Sequence, residues 1–284
     1  MKIPLSVIVL SYNEEKNIEA CLKSVVDFVE DIFLVDSFST DKTKEIAKKY
    51  TDKIYEHKFE NYGKQRNWAL TNLPIKTKWV LNLDADHRVL DNLRAELESI
   101  FLDKKEVNCD GFLITRKTVF MGKWIRHGGH YPVYQPILFK IGTGYCEEER
   151  YNQHLNVNGK VLKLKGDIED IIADDLTTFI SRHNRWASDD AIDQILGEDQ
   201  VSKNTGVKQD LFGNPMERRR FFRSFYLRLP LFIRPFIYFF YRYFLRLGFL
   251  DGKEGLIFHT LQCFWYQFLV DAKIYECKQK QASK

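Results

Sequence analysis

Apolar runs and helical stripes alternate along the first ninety residues. Residues 5–12, LSVIVLSY, form a short, almost wholly apolar run, which reads as a buried strand. Residues 17–29, NIEACLKSVVDFV, place Ile18, Leu22, Val25, Val26 and Val29 at helical spacing. DIFLVD (31–36) is a second buried strand, and SFSTDKTKEIAKKY (37–50) opens a helix with Ser39 or Asp41 as its candidate N-cap. KIYEHKF (53–59) gives a third short strand, YGKQRNWALTNL (62–73) a helix, and WVLNLD (79–84) a fourth strand. This alternation predicts an α/β fold, a parallel sheet covered by helices. Beyond residue 110 the pattern loosens. Residues 111–141 read as strands and loops rich in glycine and aromatics, 174–195 as a helix, and 201–215 as a polar link.

Open α/β sheets bind ligands beyond the carboxyl ends of their strands. The polar residues there are Asn13 and Glu14, Asp36, and the pair Asp84 and Asp86. In an extended chain, residues two apart project to the same side, so Asp84 and Asp86 can face one ligand. Two carboxylates that close repel unless a cation lies between them. Hard oxygen donors suit Mg²⁺ or Mn²⁺, which share their shell with phosphates. A divalent ion carrying a diphosphate is one reading of this pair. A polar strand end with one aspartate capping the next helix is the other. No GxGxxG follows the first strand and no GxxxxGK[ST] occurs, so dinucleotide and P-loop readings lack their phosphate cradles.

Composition then divides the chain. Its 284 residues suffice for one large domain with an appendage, and 44% hydrophobic with 29% charged residues is a globular balance. The net charge of +4 conceals an asymmetry. Residues 211–284 hold 13 Lys/Arg against 5 Asp/Glu, a net of +8, while residues 1–210 hold 30 against 34, a net of −4. The last 74 residues also hold 20 of the 41 aromatics, which sets the expected domains at 1–210 and 211–284. Five scattered cysteines without CxxC spacing argue for a reducing compartment and against a zinc ribbon. The N-terminal run turns acidic at once and reads as a strand, not a signal peptide, and no uncharged run reaches membrane-spanning length.

VIVLSYNEEKNIEACLKSV (7–25), VDSFSTDKT (35–43), GKQRNWAL (63–70) and LNLDADHRV (81–89) occur in that order. The combination closely resembles the inverting glycosyltransferases of family 2, which have the GT-A fold. It is most similar to bacterial enzymes that extend lipopolysaccharide core or lipid-linked cell-surface glycans. GGHYPVYQPILF (128–139), HNRWA (183–187) and GFLDGKEG (248–255) extend the likeness over most of the chain. The resemblance implies that Tyr12, Asn13, Glu14 and Asp36 hold the nucleotide base and ribose. It implies that Lys64 and Asn67 approach the nucleotide, and that Asp84 and Asp86 bracket the ribose and the diphosphate bound to Mn²⁺ or Mg²⁺. The donor would be a nucleoside-diphosphate sugar, with UDP the family habit. As bland alternatives, Asp36 caps a helix and Lys64 is a solvated charge.

Inversion needs a carboxylate to take the acceptor's proton. The family pattern places a Glu before the His of a segment like ERYNQHLNVNGKV (149–161), but this chain has Gln153 there. A carboxamide takes no proton at neutral pH. Either Gln153 is an isosteric, engineered replacement of the base, or Glu148 or Glu149 is the base, or the segment is out of register; Gln153 also reads as an ordinary surface residue. The loop His127, Gly128, Gly129 and His130 could close on the sugar, and His183 and Arg185 could reach diphosphate or acceptor.

Residues 218–252 mix Arg with Phe, Tyr and Leu, and Pro230 and Pro235 divide them into short helices. An amphipathic helical appendage lying in an anionic membrane interface is the first reading, an aromatic core the second, RNA binding a distant third. The expected location is cytoplasmic, peripheral on the inner face of the cytoplasmic membrane, where enzyme and lipid-linked or lipopolysaccharide acceptor share a surface, with no nucleic-acid partner. Two rival functions stand beside transfer. A pseudoenzyme would keep the pocket without the base. A nucleotidyltransferase would need a basic glycine-rich loop where this chain has acidic SYNEEKN.

Overall fold

A computed structural model describes residues 2–103, 107–147, 153–172, 175–200 and 215–282. In chain order the first elements are β1 (Ile3–Ser11), α1 (Ile18–Lys23), β2 (Val29–Asp36), α2 (Thr43–Ala47), β3 (Ile54–Glu56), α3 (Tyr62–Asn72), β4 (Trp79–Asp84), β5 (His87–Val89) and α4 (Asp91–Leu102). There follow β6 (Gly111–Phe120), β7 (Lys123–Trp124), β8 (Tyr134–Lys140), β9 (Gly144–Cys146), β10 (Leu155–Val157) and β11 (Val161–Ile171). The chain divides into two units. The first comprises Met1–Val119, Gln135–Glu149 and Gln153–Ile172; the second comprises Phe120–Tyr134, Arg150–Asn152 and Ala173–Lys284.

In the first unit the sheet runs β3-β2-β1-β4-β8-β6-β11-β5. β3, β2, β1 and β4 are mutually parallel, as the alternating pattern predicts, and β8 pairs antiparallel with β4. β1 is mostly apolar because both faces are covered, and Ile3, Leu5, Val7, Ile8 and Val9 are fully buried. α1 ends at Lys23, short of the expected stripe, and Val29 begins β2. β11 bulges between Lys163 and Asp167 where it crosses α4. A methyl group on Gly166 would sit 2.3 Å from Leu93 Cα, so only glycine allows that approach. Glu96 Oε2 on α4 accepts from the Lys165 and Gly166 N–H groups at 2.9 and 2.8 Å, satisfying the bulged backbone.

The second unit holds α5 (Leu176–Gln200), α6 (Pro215–Leu227), α7 (Arg234–Phe240), α8 (Gly252–His259) and α9 (Tyr266–Ala282). A π-helical stretch, Thr260–Trp265, joins α8 to α9. α5 packs on α9, with Ala187 and Ala191 against Tyr266, Val270 and Ile274. Arg234 and Asp271, both buried, pair at 2.5 Å, and Asp271 also accepts from the Phe232 N–H at 2.7 Å. Part of the basic aromatic segment is therefore core. The expected break at residue 211 lies outside the described residues. All five cysteines are free thiols. This mostly parallel α/β sheet with a C-terminal helical region is the architecture the resemblance implied.

Candidate active site at the strand exits

Two turns leave the sheet side by side, because β1 and β2 run in register with Ser11 opposite Asp36. Asp36 is fully buried and accepts from Ser11 Oγ at 2.8 Å and from the Ser39 N–H and Oγ, both at 2.6 Å. Ser39 Oγ in turn accepts from the Asn13 N–H at 2.8 Å. Asn13, at a left-handed φ of 53°, accepts the Thr40 N–H at 2.9 Å through its side-chain oxygen. Glu14 donates its N–H to Thr43 Oγ1 at 2.8 Å and accepts from Asn17 Nδ2 at 2.9 Å. Asp41 does the capping-type work, accepting from the Thr43 and Glu15 N–H groups, both at 3.0 Å. Burial opposes its ionisation, but these bonds and the Thr43 hydroxyl hold its carboxyl below the usual carboxylate range. The turns leave Tyr12 and Phe38 exposed, at 56% and 52%; Phe38, at a φ of 61°, was not singled out from sequence.

β4 lies on the other side of β1, with Leu10 opposite Asp84. The chain does not continue extended through Asp84-Ala85-Asp86, as the same-side argument assumed. β4 ends at Asp84, Ala85 and Asp86 form a turn, and β5 starts at His87. The turn is fixed by the Ala85 N–H on Leu10 O at 3.1 Å and the Asp84 N–H on His87 Nδ1 at 3.1 Å. It still converges the groups: ligand atoms of Asp84, Asp86 and His87 all lie within 4.8 Å of one another.

The positive group beside Asp84 is a side chain the sequence reading passed over. Arg66, fully buried, donates from Nη2 to Asp84 Oδ1 at 2.7 Å and to Leu83 O at 3.1 Å. The Tyr62 hydroxyl faces Asp84 Oδ2 at 3.4 Å, and burial pushes the phenol's pKa up, so it stays a donor. The two residues expected to approach the nucleotide from α3 are placed otherwise. Lys64 is exposed and pairs with Glu60 at 2.6 Å. Asn67 clasps the Cys146 backbone, donating to its carbonyl at 2.9 Å and accepting its N–H at 2.8 Å.

A divalent ion fits the donor set of Asp84 and Asp86. His87 plays a supporting part. Because its Nδ1 accepts the Asp84 N–H, the neutral ring carries its proton on Nε2, which faces Asp84 Oδ2 at 3.8 Å and Asp170 Oδ1 at 4.0 Å. A protonated Nε2 cannot ligate. Burial holds this imidazole's pKa below its usual value, against the pull of the Asp84 and Asp170 carboxylates.

Gln153 lies in the same unit, its Oε1 accepting the Gly63 N–H in the first turn of α3 at 2.8 Å. Glu148 and Glu149 lie outside the described residues. In the second unit, the His127 ring bonds Asp251 through Nδ1 at 2.7 Å. His183 is core: it is buried, stacks on Phe179 at 3.8 Å, and bonds Phe179 O at 2.8 Å and Gln262 at 2.7 Å. Arg185 is exposed.

LpsC of Rhizobium meliloti (strain 1021), a lipopolysaccharide core biosynthesis glycosyltransferase, is 28% identical over 296 residues, covering 97% of this chain and 93% of that protein. An uncharacterized glycosyltransferase of Rickettsia bellii (strain RML369-C) is 33% identical over 102 residues, 36% of this chain and only 34% of that protein. Among solved structures, S. aureus TarS 1–349 in complex with UDP-GlcNAc aligns with a TM-score of 0.49 at 20% identity, covering 99% of this chain and 92% of that one. The profile of glycosyl transferase family 2 matches residues 6–196, a span that contains both turns, Arg66 and the Asp84–Asp86 turn. This chain belongs to glycosyl transferase family 2.

Proposed function

We propose that the chain is an inverting, divalent-metal-dependent transferase that moves a sugar from a UDP-sugar to a lipid-linked saccharide or lipopolysaccharide-core acceptor. One observation carries the reading. The strand order β2-β1-β4 brings Asp36, the Tyr12–Asn13–Glu14 turn and the Asp84–Asp86 turn to one sheet edge, in register. A base above Tyr12 and Phe38, a ribose over the buried Asp36 platform and a diphosphate at Asp86 follow that edge in order. Asp36 acts on the nucleotide through the turn it holds. Lys64 and Asn67 join the site as neighbours on α3, the first as an exposed cation and the second by fixing Cys146 ahead of the acceptor-side segment.

Asp86 and Asp84 would hold Mn²⁺ or Mg²⁺, which stabilises the negative charge that develops on the leaving diphosphate. Arg66 pairs with Asp84 and orients it, and His87 orients the turn from behind. Gln153, at the N-terminus of α3, stands at the base position with the geometry of a glutamate but without its basicity. Glu148 and Glu149 remain the alternative bases. UDP release from UDP-sugars in the presence of acceptor lipid, with and without Mn²⁺, tests the function; no release under either condition contradicts it and favours a binding protein that has lost its base.

Membrane association belongs to the same proposal. Ile233, Phe236, Ile237, Phe240 and Phe244 follow helical spacing and are each at least 46% exposed. That face and the basic charge of residues 211–284 suit an anionic lipid surface at the cytoplasmic membrane. Among the described residues no helix is long and apolar enough to cross a membrane.

A further inference from the structure

Two guanidinium groups in the second unit converge on one point without a carboxylate. A methyl group on Gly129 would lie 3.3 Å from Arg246 Nη2 and 3.5 Å from Arg242 Nη1. Gly128 and Gly129 both take left-handed φ values, 67° and 74°, and the Gly128 N–H donates to Arg246 O at 2.8 Å, so bare backbone is pinned against the pair. Among the described residues neither arginine makes an ion pair. Arg242 lies over the Tyr238 ring at 5.4 Å, and its Nε is sealed from solvent with no hydrogen-bond partner. Arg246 is exposed; among the described residues its guanidinium bonds the Tyr241 hydroxyl at 3.2 Å and lies over that ring at 6.0 Å. The nearby carboxylate of Asp251 is committed to the His127 N–H at 2.8 Å and its ring at 2.7 Å. His259, behind Gly128, is held neutral by burial and then by the charge of Arg242, against the pull of Asp251.

A largely desolvated guanidinium with no counter-ion is unfavourable unless an anion completes it. Planar N–H forks that meet at a bare glycine backbone fit tetrahedral oxyanions, which they grip in bidentate fashion. We propose that Arg242, Arg246 and the Gly128–Gly129 backbone form a binding site for a phosphate or diphosphate ester. Given the transferase reading on which this part rests, the site takes the phosphate of a phosphorylated acceptor.

The test is calorimetry of the full chain with inorganic pyrophosphate in EDTA, which removes the divalent ion from the donor site. A second arm uses sedimentation with phosphatidylcholine vesicles with and without phosphatidic acid. R242Q and R246Q should each weaken binding about tenfold or more, the loss of one charge-assisted fork. UDP binding with Mn²⁺ should stay unchanged in both. Pyrophosphate binding that R246Q weakens shows a free-phosphate site. Binding confined to phosphatidic acid vesicles and weakened by R246Q puts the phosphate on a lipid. No binding in either arm, or binding that R246Q leaves intact, overturns the proposal. Arg246 is exposed, so R246Q decides even if R242Q fails to fold. Wild-type protein that binds pyrophosphate but not UDP with Mn²⁺ would sink the transferase reading and leave the phosphate site standing.

Discussion

Arg66 Nη2 stands 2.7 Å from Asp84 Oδ1, with the guanidinium fully buried and the carboxylate partly open to solvent. The pair is asymmetric, so its two halves should fail differently. Arg66→Gln removes the cation paired with Asp84 and its hydrogen bonds to the Leu83 and Ile8 carbonyls. Hydrogen bonds to charged groups contribute roughly 1.5–3 kcal/mol each. Urea unfolding should show a stability loss of about that size in Arg66→Gln. Asp84→Asn leaves the fully buried Arg66 guanidinium without its counter-ion, so it should lose more stability than Arg66→Gln, about 3–5 kcal/mol, and lose UDP affinity as well. Equal stability of Arg66→Gln and wild type would contradict this division.

Gln153 Oε1 on the Gly63 N–H makes a second prediction, about turnover. Gln153→Glu keeps the shape and gains a base, and general-base assistance is typically worth about 10²–10⁴-fold in rate. Transfer should rise by roughly that factor with little change in donor affinity. A helix N-terminus stabilises a carboxylate, so the acid limb of the restored activity should lie below the ordinary glutamate pKa. A chain already fully active with Gln153, and silenced by Glu148→Gln or Glu149→Gln, would move the base to that segment.

The tail prediction concerns the exposed face of α7. Truncation at residue 211 is a poor test, because Tyr266, Val270 and Ile274 pack on α5 and their removal would unfold the second unit. Phe236→Ser with Ile237→Ser and Phe240→Ser removes the face and leaves that core. Binding to anionic vesicles should drop in this variant, and in the wild type it should weaken as salt rises. Binding that ignores both, or an apolar face covered instead by a second copy in a mass measurement, would contradict the membrane reading.

Acid should destabilise the protein through buried histidines. Burial and the charge of Arg242 lower the His259 pKa from 6.5 to about 4. Above pH 6.5 neither folded nor unfolded chain protonates this ring, and its contribution is complete. Between about 6.5 and 4 the unfolded chain binds the proton first, so stability falls as pH falls, by about 3 kcal/mol at the limit. Burial lowers His87 and His183 in the same direction. Urea midpoints at pH 7, 6 and 5 should decline, and His259→Gln should decline less steeply. A parallel decline would show that His259 does not carry the effect.

β1, β2 and β4 were legible because each is a short, mostly apolar run, and β4 ends at Asp84 where the pattern ends it. α3 was legible as a helix but not as the hub of the site. Its buried positions are Gly63, Gln65, Arg66 and Ala69, a polar face that carries no apolar stripe to say which way it turns. Lys64 and Arg66 look alike in sequence; only the fold puts one in solvent and the other against Asp84. Asp36 was found by its place after β2, but its commitment to Ser11 and Ser39 depends on a neighbouring turn 25 residues away. The convergence of Asp84 and Asp86 was anticipated for the wrong geometric reason, since a turn tied to Leu10 brings them together. In the tail, charge and aromaticity were plain, but the division between core and exposed face needed the Arg234–Asp271 pair and the packing on α5.

The central claim is that the Asp84–Asp86 turn holds a nucleoside diphosphate through a divalent ion, and calorimetry of UDP binding tests it most directly. Wild-type chain should bind UDP with Mn²⁺ and much more weakly in EDTA. Asp86→Ala should lose most of the Mn²⁺-dependent affinity while its urea midpoint stays near the wild type. UDP binding in Asp86→Ala that is as tight as in the wild type, and indifferent to Mn²⁺, would contradict the account.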